Sequence, residues 1–374
     1  MLTVVLLCST LDRLGPTNVI YNMLQAYCKD PSDVIFEIVT ISPEPVTTRI
    51  EDFKELGLQV YSLNIERGYR AIFNLRKIRN FIVSLKPNVV HSYGFRADII
   101  LSRLNLDSSI IRISSSFNNP FEDFKMQFGY VKGLLMAQSL IRSYRQFANV
   151  ITCSNFIANR LRNYYKSLSV IYTGVDADYF TPLPLLEKQK KREELGIPMN
   201  SKVYIFIANL IPRKNPEFLI KIFSTLKLNN TLLLMMGDGP LLNSCKAICN
   251  DPSIVRYLGA QPGSLEYLQI SDFYISPSFS EGFPTAVLEA MSVGVVPILS
   301  DIMPHREMLS GVPSPFLFDI SDTSLANTLS ISQRYECNFD YRQYLIDNFS
   351  SQNMQKHYIS IYKLLSGTIC VHRS

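Results

Sequence analysis

Short apolar runs alternate along the chain with longer stretches in which apolar residues recur at helical spacing. This alternation is typical of parallel α/β sheets, in which a helix follows each strand and covers one face of the sheet. The pattern predicts strands at 3–7, 35–41, 60–63, 89–92, 110–114, 150–153 and 170–172 in the first half, and at 203–208, 232–236, 254–258, 273–276, 296–299 and 316–318 in the second.

The two sets of strands are separated by the polar, proline-containing stretch 176–200, which is the best candidate for a linker. A chain of 374 residues is long enough to divide its core between two domains. We therefore predict a first domain over 1–175 and a second over 176–350, followed by a C-terminal segment 351–374.

Composition supports a well-packed globular protein, with 47% hydrophobic and 18% charged residues. The apolar run 2–8 lacks a basic flank and is predicted to be a core strand and not a signal sequence. No apolar stretch approaches the roughly 20 residues that span a bilayer, so we expect a cytoplasmic protein. Seven cysteines without a C-x-x-C pair argue against a disulfide framework or a structural zinc site.

Positive charge is concentrated in the first half. Residues 1–175 carry 20 Lys and Arg against 13 Asp and Glu, whereas 176–374 carry 17 against 19. Basic and apolar residues interleave at helical spacing over 67–86, and a second such stretch runs over 125–147. These stretches are either sheet-covering helices with a solvated basic face or surfaces that contact anionic lipid. No nucleic-acid-binding motif accompanies the charges, and nucleic acid is not an expected partner.

Candidate chemistry begins after the strand 273–276. The segment 277–284 has turn composition and predicts a helix that opens near Thr285. Amides in the first turn of a helix, together with its dipole, suit a diphosphate, and Gly282 would let the backbone approach it closely. Phosphate could bind there without a metal.

Two glutamates flank this predicted helix start. Glu281 precedes the helix and Glu289 lies within it, so at most roughly 12 Å of axial rise separates them. One carboxylate could reach a hexose while the other reaches a ribose. Arg213 and Lys214 follow the strand 203–208, at the strand end where open α/β sheets bind ligands, and can engage phosphate oxygens.

The E-x7-E spacing of these glutamates resembles the signature of the retaining GT-B glycosyltransferases of the family 4 type, also called glycosyltransferase group 1. Further motifs agree with this resemblance in family order and span nearly the whole chain. They are HSYGFRAD at 91–98, CSN at 153–155, YTGVD at 172–176, PRKN at 212–215, GDGP at 237–240 and PHRE at 304–307.

The resemblance implies an α/β protein with two Rossmann-like domains facing across a cleft and a last helix, 352–365, that crosses back to the first domain. It implies retaining, metal-independent transfer of a hexose-type sugar from a nucleotide-sugar donor in the second domain to an acceptor in the first. No cofactor is expected. We favour a UDP-sugar and a glycan or lipid-linked glycan acceptor in synthesis of a cell-surface polysaccharide such as lipopolysaccharide or capsule, on the inner face of the membrane.

Two alternatives to transfer remain open from the sequence. One is a non-catalytic relative that binds nucleotide sugar or a protein partner, and the other is a nucleotide-sugar epimerase. The first is motivated by Phe117, which stands where many relatives have a histidine that meets the donor sugar; Asn118 or Asn119 could substitute by hydrogen bonding.

The resemblance also assigns roles in the second domain. Glu281 would position the donor sugar, although a helix-capping role is the alternative, and Glu289 would bind the ribose diol unless it is simply an exposed helix residue. Arg213 and Lys214 would neutralise the departing diphosphate. Backbone amides of Phe283, Thr285 and Ala286 would hold sugar and phosphate, whereas Pro284 has no amide donor.

Gly15, His91 and His305 are further candidates, and the first two have two interpretations each. Gly15 lies in a loop that resembles the family's glycine-containing phosphate loop, with Pro16 in place of the second glycine. It either forms a turn or admits a ligand. His91, at a strand end, either contacts the acceptor or completes the core. His305 is placed in a loop near the expected donor pocket, and Glu307 beside it is a further candidate for sugar binding.

Overall fold

The structure is a computed structural model that describes residues 1–66, 74–226 and 228–367. The chain forms two compact units. The first comprises Met1–Gly174 together with the chain from Ser351, and the second comprises Val175–Ser350. The predicted boundary between residues 175 and 176 differs from the observed crossing by one residue.

A seven-stranded parallel sheet forms the centre of the first unit, in the order β3-β2-β1-β4-β5-β6-β7. The strands are β1 Leu2–Cys8, β2 Val34–Thr40, β3 Gln59–Ser62, β4 Val89–Tyr93, β5 Ile111–Ser116, β6 Asn149–Thr152 and β7 Leu168–Val170. The described helices are α1 Gly15–Lys29, α2 Ile50–Glu55, α3 Leu75–Ser84, α4 Phe95–Arg103, α5 Pro120–Phe128, α6 Tyr130–Tyr144, α7 Asn155–Leu161 and the C-terminal α16 Ser351–Leu365.

The second unit contains a six-stranded parallel sheet in the order β10-β9-β8-β11-β12-β13. Its strands are β8 Lys202–Ile207, β9 Thr231–Met236, β10 Val255–Gly259, β11 Phe273–Ser276, β12 Val296–Ser300 and β13 Phe316–Phe318. Its helices are α8 Leu185–Glu194, α9 Pro216–Leu226, α10 Leu242–Ile248, α11 Leu265–Ile270, α12 Thr285–Ser292, α13 Met303–Met308, α14 Asp322–Ser332 and α15 Tyr341–Phe349, with a 3₁₀ turn at Pro212–Lys214.

Both sheets have the strand order of a Rossmann-like fold, in which the first strand lies in the middle and the order reverses beside it. The reversal falls between β1 and β4 in the first unit and between β8 and β11 in the second. Helices cover the sheets because successive parallel strands require crossover connections. The predicted α/β fold class with two Rossmann-like domains is confirmed.

The C-terminal helix α16 belongs to the core of the first unit. Its residues Met354, Tyr358 and Tyr362 are buried with β1, β2 and β4. His91, at 0% exposure, lies against this helix: its Nδ1 atom is 2.7 Å from the hydroxyl of Tyr362 and its Nε2 atom is 2.9 Å from Oγ of Ser115. Burial lowers the pKa of His91 to about 3. The core interpretation of His91 therefore fits the structure and the acceptor-contact interpretation does not.

A buried carboxyl group lies on α4 of the same unit. Asp98 is 1% exposed and its Oδ1 atom accepts hydrogen bonds from the hydroxyls of Ser92, at 2.6 Å, and Ser114, at 2.8 Å. Burial raises the pKa of Asp98 to about 7, and the two hydroxyls oppose this rise only in part.

The predicted linker 176–200 is instead part of the second unit. It contains α8, whose Arg192 is buried and donates from Nε to the carbonyl of Ile270 at 2.9 Å and from Nη2 to Asp272 at 2.8 Å. The Lys/Glu-rich composition of this segment reflects one solvated face, because the opposite face makes these contacts.

The two basic amphipathic stretches predicted over 67–86 and 125–147 differ in structure. Residues 74–86 contain α3 with a basic exposed face, while Arg67 and Arg70 lie outside the described residues. The stretch 125–147 is not one helix, because Gly129, at a φ of 82°, ends α5 and starts α6.

Among the described residues, no helix is both long and apolar enough to cross a bilayer. Six described cysteines carry free thiols, and Cys370 lies outside the described residues.

Candidate active site

The predicted donor-site residues converge where the strand order of the second unit reverses. Arg213 and Lys214 lie in the connection after β8, and Glu281 lies in the connection after β11. These two strands are hydrogen-bonded neighbours, with Tyr274 in register with Ile205. Because the carboxyl ends of parallel strands share one edge of the sheet, both connections emerge side by side.

Glu281 binds both cations. Its Oε2 atom accepts from Nη1 of Arg213 at 3.2 Å, and its Oε1 atom accepts from Nζ of Lys214 at 2.5 Å. Only 5% of the carboxylate side chain is exposed, against 19% and 16% for the two cations. The glutamate does not cap helix α12, since its oxygens are directed to these partners.

The charge state of Glu281 follows from this arrangement. Burial raises its pKa, but Lys214 and Arg213 more than offset the burial and lower the pKa to about 2. A carboxylate of such low basicity is a poor proton acceptor at neutral pH, and the site holds it as a fixed negative charge.

The connections after β8, β9 and β11 are fastened to one another by backbone contacts. Phe279 donates its N–H to the carbonyl of Arg213 at 2.9 Å, and Leu210 donates to the carbonyl of Asp238 at 2.9 Å. A Cβ atom on Gly237 would lie 1.9 Å from the carbonyl oxygen of Ala208. Gly237 is therefore required for close packing of the connections after β8 and β9. Arg213 and Lys214 belong to the first of these connections, which the backbone contacts hold in place.

Glu289 is oriented by a serine from another connection. Its Oε2 atom accepts from Oγ of Ser264 at 2.7 Å, and the residue is half-buried on α12. Tyr274 lies close to both glutamates: burial raises its pKa, and the charges of Glu281 and Glu289 raise it further. A phenol on the sheet thus lies near both carboxylates and stays protonated.

The N-terminus of α12 adds backbone donors to the same edge. Helix α12 begins at Thr285, with Pro284 as its N-cap residue. Thr285 and Ala286 are half-buried. Because they occupy the first turn of the helix, their N–H groups have no partner within it. Gly282 and Phe283, which precede the helix, are buried. The positive end of the helix dipole therefore lies in the segment that follows Glu281.

His305 lies on α13 and not in a loop as predicted. It is 0% exposed, and its Nδ1 atom lies 2.8 Å from the carbonyl oxygen of Ser300. A carbonyl can only accept, so Nδ1 carries the proton and Nε2 of the neutral ring is an acceptor. Burial lowers the pKa of His305, while the nearby charge of Glu281 opposes that change.

Two buried polar atoms of this edge lack a hydrogen-bond partner among the described residues. One is the acceptor Nε2 of His305, and the other is Nδ2 of Asn215, which directly follows Lys214. Buried polar groups are nearly always satisfied by protein, water or a ligand. The site thus presents one unmatched acceptor and one unmatched amide donor.

The candidates Gly15, Asn118 and Asn119 belong to the first unit. Gly15 opens α1, and a Cβ atom there would meet nothing within 4 Å, so packing gives no reason for a glycine. Asn118 is half-buried, and the side chain of Asn119 caps α5 by accepting from the N–H of Phe121 at 3.2 Å. Phe117 packs against Tyr93, with ring centroids 6.1 Å apart.

Ser264 and Tyr274 belong to the site but were not among the sequence candidates. Tyr274 follows a recognisable signal, because a phenol between the apolar Phe273 and Ile275 of a strand needs a polar partner, here the carbonyl of Ile207 at 3.2 Å. Ser264 gives no such signal, since its loop meets Glu289 only in the folded chain. Within the described residues, no group of three or more His, Cys, Asp or Glu side chains is arranged to hold a metal.

Two parallel sheets of this order, one with paired cations at its reversal point, are typical of α/β proteins that bind nucleotides. The model for glycosyltransferase family 4 matches residues 15–179, and the model for glycosyl transferases group 1 matches residues 187–329. The chain belongs to this family of GT-B glycosyltransferases. The resemblance inferred from the sequence motifs is confirmed.

Two glycosyltransferases of Escherichia coli are similar to this chain. A UDP-Gal:alpha-D-GlcNAc-diphosphoundecaprenol alpha-1,3-galactosyltransferase of Escherichia coli is 31% identical over 163 residues, or 41% of this chain. The chain thus spans only 42% of that relative's length. The O-antigen biosynthesis glycosyltransferase WclY of Escherichia coli is 25% identical over 300 residues, which cover 74% of this chain and 79% of WclY.

Solved structures share the fold at low identity. HepE of Anabaena, crystallised with UDP and glucose, superposes with a TM-score of 0.80 over 97% of this chain and 100% of its own, at 13% identity. Sucrose-phosphate synthase of Thermosynechococcus elongatus gives a TM-score of 0.80 over 98% of this chain and 100% of its own, at 14% identity. These likenesses establish the GT-B fold.

Proposed function

We propose that this protein is a glycosyltransferase that moves a hexose-type sugar from a nucleotide-sugar donor, with a UDP-sugar favoured, to a glycan or lipid-linked glycan. The observation that carries the proposal is the cluster of Arg213, Lys214 and Glu281 at the reversal point of the second sheet. The galactosyltransferase relative, whose name specifies a UDP-sugar and a diphosphoundecaprenol acceptor, supports this donor and acceptor class. The name of WclY supports a place in polysaccharide synthesis.

In the proposed reaction, the acceptor oxygen forms a bond to the anomeric carbon while the bond from that carbon to the phosphate oxygen breaks. Negative charge accumulates on the departing nucleoside diphosphate. Arg213, Lys214 and the first-turn amides of α12 would stabilise this charge. The acceptor proton passes to a departing phosphate oxygen, so that no separate base is required.

Retention of anomeric configuration and independence from metal are parts of the proposal. The low basicity of Glu281 favours a role in positioning and charge stabilisation over one as a base, because its two oxygens are engaged by cations. Positive charge on Arg213 and Lys214 supplies what a metal otherwise provides to a leaving diphosphate.

Donor contacts follow from the same geometry. Glu289, held by Ser264, would accept from the ribose diol, and the unmatched Nε2 atom of His305 would accept from a sugar hydroxyl. Both contacts are hydrogen bonds to charged or buried acceptors, which discriminate strongly against ligands that lack the hydroxyl.

Thermal shift with a panel of nucleoside diphosphates and their sugars tests the donor assignment, since a ligand that binds only the folded state raises the melting temperature. We expect selective stabilisation by one nucleotide, and UDP before the others. No shift with any nucleotide would favour a non-catalytic relative. Release of nucleotide only when an acceptor is added would separate transfer from epimerisation.

A further inference from the structure

Large apolar side chains are exposed at the turn between α5 and α6. Five of them fall within ten residues: Met126 is 52% exposed, Phe128 38%, Tyr130 69%, Val131 70% and Leu135 62%. We call this group the hairpin tip. Single exposed apolar residues are normal on a protein surface, whereas groups of exposed apolar residues are a signature of interaction sites.

The hairpin tip is exposed although the hairpin itself is well packed. Gly129, at a φ of 82°, provides the turn, and a Cβ atom on Gly133 would lie 2.4 Å from the carbonyl oxygen of Phe124. The two helices therefore touch through their backbones. The inward face of α6, which includes Ala137, Leu140 and Tyr144, is buried.

Two lysines lie on the hairpin tip itself. Nζ of Lys125 is 4.6 Å from the ring centroid of Tyr130, and Nζ of Lys132 is 5.2 Å from that of Phe128. Of the two carboxylates in the first turn of α5, Glu122 pairs with Arg160 at 3.7 Å. Lys125 and Lys132 therefore place positive charge beside the apolar group.

This combination distinguishes between two kinds of occupant. Lysine is depleted at the centre of protein–protein interfaces, where its charge would be desolvated. Surfaces that lie in a membrane interface combine aromatic and aliphatic residues with lysine, because the ammonium groups reach anionic headgroups. The excess of 20 basic over 13 acidic residues in 1–175 acts in the same direction.

We propose that the hairpin tip is a docking surface for an anionic lipid bilayer. Its apolar side chains enter the boundary between headgroups and acyl chains, and Lys125 and Lys132 bind headgroup phosphates. This surface is independent of the donor site, so the proposal stands or falls separately from the proposed transfer reaction.

The absence of tryptophan from the chain provides a direct test. Val131→Trp places a single fluorophore on the hairpin tip, and Leu186→Trp, at a position 79% exposed on α8, is the matched control. We expect the emission of the Val131→Trp protein to shift to shorter wavelength with phosphatidylglycerol/phosphatidylcholine vesicles and not with phosphatidylcholine alone. The control should not respond.

Vesicle sedimentation of further variants then measures separately how much the lysines and the apolar side chains contribute to vesicle binding. Lys125→Gln with Lys132→Gln should weaken binding by roughly 25-fold, at about fivefold per lysine, while Lys190→Gln with Lys246→Gln should leave it unchanged. Val131→Ser with Leu135→Ser should abolish it, and circular dichroism melting should confirm that these surface variants are folded.

Three results would overturn the proposal. The first is no sedimentation of the wild-type protein with anionic vesicles, and the second is equal binding to neutral vesicles. The third is a shift of the Val131→Trp emission without vesicles that grows with protein concentration, which would assign the hairpin tip to a second copy of the chain.

Discussion

The ammonium group of Lys214 and the carboxylate of Glu281 form a 2.5 Å ion pair across 67 residues of sequence. Arg213 completes the pairing from the same turn. The phosphate-binding cations that the sequence predicts therefore already have a carboxylate partner. In the proposed reaction, a diphosphate would have to share these cations with Glu281, and that sharing would link phosphate binding to the position of the carboxylate.

Replacement of Glu281 by Gln should abolish sugar transfer and also destabilise the second unit. The amide keeps the shape but leaves two partly buried cations without a counter-charge, which we expect to cost about 1–3 kcal/mol. Urea denaturation at pH 7 and a nucleotide-release assay measure the two effects. Glu194→Gln, at an exposed position, should change neither. Wild-type turnover by Glu281→Gln would contradict the assignment.

The ion pairs of Glu281 with Arg213 and Lys214 predict that the stability of the protein depends on pH. The pKa of Glu281 is lowered to about 2 in the folded chain, so its contribution is complete above the unfolded value of roughly 4.5 and is lost as the pH falls from there towards 2. The difference in unfolding free energy between wild type and Glu281→Gln should therefore shrink between pH 5 and pH 3. A constant difference over that range would argue against the ion pair.

Replacement of both Arg213 and Lys214 by Ala should weaken UDP binding by at least tenfold, because each cation contributes a charge-assisted hydrogen bond to phosphate. Calorimetric titration with UDP and with uridine separates phosphate recognition from general damage. We expect the affinity for uridine, which has no phosphate, to be retained. Equal loss for both ligands would show a collapsed pocket, and unchanged UDP affinity would contradict the phosphate role.

Glu289 and Ser264 should together determine preference for a ribonucleotide. Ser264→Ala removes the hydroxyl that orients the carboxylate, and Glu289→Ala removes the acceptor. We expect both to narrow the difference in affinity between UDP and 2′-deoxy-UDP, Glu289→Ala by roughly tenfold. Ser253→Ala, on another loop of the same unit, is the control. If the ratio of the affinities for UDP and 2′-deoxy-UDP is the same in the wild type and all three variants, Glu289 does not contact the ribose.

His305→Asn tests the contact to the donor sugar. An asparagine amide can replace the Nδ1 donor to Ser300 but does not reach the position of Nε2. The affinity for the nucleotide sugar should therefore fall by about tenfold, while that for the nucleotide alone should stay the same. Calorimetric titration of the nucleotide sugar and of the nucleotide into wild type and variant measures the two affinities. A parallel fall would place His305 in the packing of α13 and not in sugar recognition.

Asp98 should make the first unit less stable as the pH rises. Its folded pKa of about 7 lies above the unfolded value of roughly 3.9, so the folded chain holds a proton that the unfolded chain has lost. Asp98→Asn keeps an acceptor for the hydroxyls of Ser92 and Ser114, and it removes the group whose proton binding makes stability depend on pH. Between pH 5 and pH 7, the variant should gain stability relative to wild type by on the order of 2 kcal/mol. Chemical denaturation across this range gives the value, and a pH-independent difference would contradict it.

Periodicity was sufficient to predict strands where a strand is buried on both faces. The predicted bounds 273–276 coincide with β11, whose four residues are all buried. Parallel strands buried on both faces are continuous apolar runs, and turn residues delimit them. The break at Gly129 within the stretch 125–147 was missed, because apolar spacing continues across the turn and only the positive φ interrupts the helix.

The types of residue in the donor site were also predictable, whereas their pairings were not. Arg213 and Glu281 each follow a strand, and sheet topology brings strand ends together. Their ion pair depends on which strands are neighbours, which spacing along the chain does not encode. Burial of His305 and the contact between Ser264 and Glu289 are likewise tertiary features.

The chain leaves the first unit once, after Gly174, and returns once, at Ser351. Val175 and Phe349 close the intervening segment on itself through an N–H to carbonyl hydrogen bond of 3.0 Å. The second unit is thus contiguous and can fold as soon as it has been synthesised. The contact between His91 and Tyr362, in contrast, forms only after residue 362 has been synthesised. Biosynthesis therefore completes the later unit before the earlier one, and a truncation within α16 would damage the unit that was made first.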